Sequence, residues 1–136
     1  MERRDYLMYQ IEMMTQALVS LIRRLLGLKD LTEEVESMTN EVLTEYLAIS
    51  IPEIIGLSEK DFLNLAEKNK NLNSENGELL AKLLVLNAKS RLLSQEKINL
   101  LTKAKGLLKE VDQKSDTYSL EREALLNEIE TLLNSF

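Results

Sequence analysis

The sequence predicts an all-α fold of five to six helices, and three observations predict it. Leucine supplies 29 of the 136 residues, and leucine is a strong helix former. Aromatic residues make up only 4%, and one proline with four glycines leaves little punctuation for strands and hairpins. Apolar positions recur in steps of three and four, the spacing of one helix face. The apolar fraction of 44% against a net charge of −6 supports a packed core rather than disorder. The expected architecture is one domain over residues 1–136. A helical hairpin over residues 1–56 packs on a repeat-like layer of helical hairpins over residues 57–136.

The first predicted helix runs from Arg4 to Leu26. Leu7, Ile11, Met14, Leu18, Leu21, Leu25 and Leu28 form a heptad stripe. Met8, Val19, Ile22 and Leu26 widen that face, which implies burial against more than one neighbour. Gly27 is expected to stop the helix in the left-handed conformation, and Arg23 and Arg24 complement the negative end of its dipole. The second predicted helix, Thr32 to Ser50, starts with a possible Thr32 cap and acidic residues. Leu31, Val35, Met38, Val42, Tyr46 and Ile49 form its expected inner face, and Pro52 is expected to end it. The short connection suggests an antiparallel pair.

A short third helix begins at Ser58, with Asp61 three residues on, and places Phe62, Leu63, Leu65 and Ala66 on its apolar side. It fades into an Asn-Lys stretch at Lys68 to Asn73. The fourth starts near Ser74 and is dense in leucine from Leu79 to Leu86, with Ser94 expected to end it and cap the next. The fifth puts Ile98, Leu101, Ala104, Leu108 and Val111 on one face and Lys97, Lys103, Lys105 and Lys109 outside, with Gly106 marking close packing. The sixth, Thr117 to Asn134, directs Leu120, Ala124, Leu125, Ile129, Leu132 and Leu133 inward.

Two resemblances follow from these residues. Over residues 78 to 134 the period of two helices with their turns is similar to that of the tetratricopeptide repeat, and Ala88 and Ala104 are small residues where such a repeat packs its helices. The chain departs from that pattern in having no aromatic near the start of the fourth helix and Asp112-Gln113 where a proline would follow the fifth. The opening Asp5-Tyr6-Leu7-Met8-Tyr9-Gln10-Ile11-Glu12 resembles that of a family of short, all-helical bacterial proteins with no assigned function. Tyr9 stands where that family's pattern has arginine. The resemblance implies an N-terminal helical hairpin followed by repeat-like helices, a bacterial origin and no activity.

Missing residue types restrict the chemistry. There is no Cys and no His, which removes disulfides, thiol nucleophiles, His-based triads and the commonest metal ligand. No phosphate-loop, dinucleotide, hydrolase-elbow or zincin string occurs. No cofactor, metal or catalytic residue is therefore expected, and the chain reads as a non-enzyme. An enzyme using carboxylate, Lys or Tyr side chains stays open as an alternative. The acidic balance, without aromatics between the lysines of the fourth and fifth helices, argues against nucleic acid.

Charge is distributed in blocks: residues 30–59 hold eight acidic and no basic groups, whereas residues 60–114 carry an excess of lysine and arginine. The acidic second helix is either a docking face for a basic partner or a solvated face answered by the lysine-rich helices. Glu33 with Glu36, and Glu41 with Glu45, share helix faces, but the inner faces offer no second set of carboxylates for a metal. Tyr6, Met8, Tyr9, Met13 and Met14 cluster in the first helix, in the manner of an interface. The candidate partner-facing residues are Tyr6, Tyr9, Met13, Glu34, Glu41 and Glu45. The expected role is an interaction or scaffolding module that buries a partner protein's helix, or a second copy of itself, in an apolar groove beside the first helix or on the concave side of the third to sixth. Membrane-surface attachment through that helix, helped by Arg3, Arg4, Arg23 and Arg24, is weakened by Asp5 and Glu12. No signal segment is read at the start of the chain, and the expected location is the cytoplasm.

Overall fold

The computed structural model describes residues 3–28 and 32–136, and among them every regular element is a helix. These are α1 (Arg3–Leu26), α2 (Thr32–Leu47), α3 (Ile51–Gly56), α4 (Glu59–Lys68), α5 (Ser74–Ser90), α6 (Ser94–Lys114) and α7 (Leu120–Asn134). The count is seven, one or two more than the sequence predicts, and Pro52 is the reason. It does not end α2. It sits in the first turn of α3, where a missing N–H costs nothing and the fixed φ suits the helix. Ser50 caps that helix reciprocally: its hydroxyl accepts from the Glu53 N–H at 3.3 Å, and its own N–H donates to Glu53 Oε1 at 3.1 Å.

α2 therefore ends at Leu47, three residues before the predicted boundary, and Ala48 follows with φ 55°. No described glycine has a positive φ, so Gly27 does not stop α1 in the predicted left-handed way. The left-handed position of the fold falls on an alanine, whose Cβ makes that conformation unfavourable by about 1–2 kcal/mol. Ala48→Gly should accordingly stabilise the fold by about 1 kcal/mol, less the greater entropy of the unfolded glycine, read from urea denaturation midpoints.

α5 and α6 form the central pair, and the other helices pack around them. α1, α2 and α7 lie against α5, while α3, α4 and α7 lie against α6. Cross-helix pairs fix the directions. Glu36 meets Arg91 and Thr39 meets Asn87, so α2 runs antiparallel to α5. Ser119 meets Glu78 and Lys89 meets Glu128, so α7 runs parallel to α5. One contiguous core draws residues from all seven helices, including Met14, Leu43, Ile54, Phe62, Leu84, Leu108 and Ile129.

The heptad stripe of α1 lies as expected, with Met14, Leu18, Leu21 and Leu25 buried. Other expected faces rotate. In α2 the buried line is Val35, Thr39, Leu43 and Leu47, while Met38, Val42 and Tyr46 are half-buried; Leu31 and the side chain of Thr32 lie outside the described residues. Ser94 starts α6 without capping it, because the cap position is Leu93, which offers no side-chain acceptor. Ile98 is more exposed than its expected face requires. In α7, Leu120 and Ala124 are exposed, and Arg122 is buried instead. Its guanidinium donates to Asp112 and to the Thr117 carbonyl at 2.8 Å, tying the turn between α6 and α7.

Gly106 does mark a close approach. A Cβ there would lie 2.9 Å from Glu59 Oε1 and 3.2 Å from Leu63 Cδ1, which brings α4 directly onto α6. Ala88 and Ala104 are both buried in the α5–α6 pair. No described helix is long and apolar enough to cross a membrane.

A candidate helix-binding groove beside α1

The second apolar set of α1 does not find the neighbours that the sequence predicts for it. Ile22 is buried and Val19 half-buried, but Met8 is 54% and Leu26 61% exposed. These four positions share one helical side, at spacings of eleven, three and four residues. That side walls a groove. A cleft of about 570 Å³ lies between α1, α5 and α7, lined by Val19, Ile22, Arg23, Glu75, Glu78, Leu79, Lys82, Glu121 and Leu125. A second, of about 440 Å³, is lined by Met8, Ile11, Glu12, Thr15, Gln16, Asn73 and Glu75. Glu75 lines both, and the two follow one another along α1.

Local sequence explains the groove. On α5 the periodicity that buries Leu80, Leu83, Leu84 and Asn87 leaves Glu75, Glu78, Leu79 and Lys82 on the opposite side as a floor. On α7 the buried Leu125 and exposed Glu121 form the far wall. α1 is held beside the start of α5 by a polar clasp. The buried Asn76 accepts from Thr15 Oγ1 at 2.5 Å, and its amide donates to the Ile11 carbonyl at 3.1 Å and the Asn71 carbonyl at 2.9 Å. From Met8 to Arg23 the wall is about 22 Å long at 1.5 Å per residue, the length of a four-turn helix.

The rim is polarised. Glu12 and Glu75 stand at the end near the start of α5, and Arg23 and Lys82 stand towards the other, where Glu121 of α7 also lies. None of the five forms an ion pair among the described residues. Glu78 differs, because it accepts from Ser119 Oγ at 3.0 Å and lies 4.0 Å from Arg122.

The predicted partner-facing residues lie elsewhere on α1 and α2. Tyr6, Tyr9 and Met13 form an exposed stripe on the side of α1 away from the groove, and Tyr6 accepts from Gln10 at 2.9 Å. Glu34, Glu41 and Glu45 are exposed on one face of α2. Tyr46 links the two sets: burial raises its phenol above the ordinary value, and the nearby Glu45 and Tyr9 add to the rise. Glu34 stands about 16 Å from Glu45 along the helix axis and does not join that cluster. Of the acidic residues of α2, Glu36 is the one answered inside the fold, by Arg91 at 2.8 Å.

Lys103, expected outside, is buried. Its ammonium donates to Asn99 Oδ1 at 2.6 Å, and the Asn99 amide in turn donates to the Ile55 carbonyl at 3.0 Å. Desolvation lowers its pKa, with Glu59 opposing. The amine lines neither half of the groove and ties α6 to α3. Among the described residues no three carboxylates converge as metal ligands.

The sequence predicts an apolar groove beside the first helix or on the concave side of the third to sixth, but it names neither the α5 and α7 walls nor the charged rim. The signal for the groove is the second stripe of α1, which is wider than one neighbour can cover. Comparison of the chain with protein-family models, with curated proteins and with solved structures finds no match.

Proposed function

We propose that the protein is a non-enzymatic helical interaction module that buries a partner helix in the groove beside α1. The observation that carries this reading is the incompletely covered side of α1: the exposed Met8 and the half-buried Val19 line a helix-length groove between α1 and α5. Covering the exposed half of Met8 would contribute about 1 kcal/mol. The groove also has the helical spacing on both walls that a ridge of partner side chains requires.

A repeat-like stack in the C-terminal half fits this role, since stacked helix pairs commonly present such surfaces. A cytoplasmic, bacterial setting remains part of the reading, supported by the composition and by the opening residues. The test is selection from a displayed library of 18-residue helical peptides. An enriched pool should bind the chain and lose at least tenfold in affinity for Met8→Glu, an exposed groove position whose change leaves folding nearly untouched. Equal binding to both chains would sink the reading.

A second reading rests on the exposed Tyr6–Tyr9–Met13 stripe, which suits self-association through α1. Light scattering should then show a dimer that Tyr9→Glu dissociates. A monomer across the concentration range would remove this reading.

A further inference from the structure

Resting on the groove reading, we propose that the occupant is an amphipathic helix of another protein, about four turns long, carrying Lys or Arg beside its apolar ridge at one end and Asp or Glu at the other. The argument is charge complementarity along a fixed axis. Glu12 and Glu75 flank the groove at the start of α5, and Glu121 of α7 lies further along, past the level of Glu78. Arg23 of α1 and Lys82 of α5 flank it further along. All five are exposed, and none is satisfied by an ion pair among the described residues. An apolar helix bearing one sign of charge throughout would meet repulsion at one end or the other, so the polarised rim selects against it.

The chain's own exposed apolar helix does not match this order. α1 carries Arg3 and Arg4 at its start and Arg23 and Arg24 at its end, so a second copy would bring like charge to Arg23 and Lys82. A membrane surface fits less well still, because anionic lipid would be repelled by Glu12, Glu75 and Glu121. The orientation of the occupant follows: its basic end lies over Glu12 and Glu75, its acidic end over Arg23 and Lys82.

The same displayed library tests the proposal on the full chain. Enriched peptides should combine apolar residues at i, i+3/i+4 and i+7 with basic residues at one end and acidic residues at the other. Their affinity should fall three- to tenfold for Glu12→Gln/Glu75→Gln and should weaken with added salt. Lys82→Glu should act in the same direction through the opposite end and should shift the selection towards basic residues at both ends. Peptides that need Met8 but show no charge order would overturn this proposal while leaving the groove reading intact. Peptides indifferent to Met8→Glu would overturn both. A dimer, or binding to phosphatidylserine vesicles, that is lost in Val19→Glu would assign the groove to a second copy or to lipid and would also overturn it.

Discussion

Phe62→Ala should lower the stability of the fold by about 3–5 kcal/mol, seen as a fall of roughly 10–20 °C in the thermal midpoint. Phe62 is 1% exposed and heads the fully buried side chains by volume. It belongs to α4, ten residues long, which is too short to be helical on its own strength. Ser58 caps that helix by accepting from the Asp61 N–H at 3.0 Å, but a cap contributes only about 1 kcal/mol. What holds α4 is therefore its apolar side, Phe62 with Ala66, and the close approach to α6 that Gly106 permits. Removing the ring empties the site and leaves the short helix little to dock with. A loss below about 1 kcal/mol would mean that α4 contributes little to the cooperative core.

The two buried asparagines of α5 should respond in opposite directions. Asn76→Ala should cost about 2–4 kcal/mol. Its amide serves the Asn71 carbonyl and the Ile11 carbonyl, and its oxygen takes the Thr15 hydroxyl. The truncation strips the Asn71 carbonyl of its side-chain donor and unfastens α1 from the start of α5. Asn87→Leu should be neutral to about 1 kcal/mol stabilising. The Asn87 amide donates to Thr39 Oγ1 and to the Leu83 carbonyl, each at 2.9 Å, but its Oδ1 is buried without a partner. Thr39 keeps its own bond to the Val35 carbonyl at 2.8 Å when Asn87 is replaced. Urea titration of the two variants beside the parent chain reads both signs in one experiment. Equal losses would contradict the account of these two sites.

Particular residues show how far the helices could be read from the chain. The heptad stripe of α1 was legible because leucines at strict spacing leave one buried side open to choice. The extra helix was not, because Pro52 carries two opposite meanings. It disfavours helix at the residue before it, and it also suits a helix's first turn. The Ser50–Glu53 pair decides between them, and its spacing is visible in the sequence. Lys103 and Arg122 escaped for another reason. Their burial depends on partners brought in by other helices, Asn99 beside Ile55 in one case and Asp112 with Thr117 in the other. A count of charges along one helix contains no trace of such partners. The groove was half legible: the width of the α1 face announced a second neighbour, but only the placement of α7 across α5 shows that no helix of the described chain fills that place.

The most direct measurement is the amide spectrum of the isotopically labelled chain titrated with one library-selected peptide. The account predicts that shifts concentrate on Met8, Glu12, Val19 and Arg23 of α1, on Leu79 and Lys82 of α5, and on Leu125 of α7. Shifts confined to Tyr6, Tyr9 and Met13 with Glu41 and Glu45 would contradict it, placing the docking face on the other side of the helix.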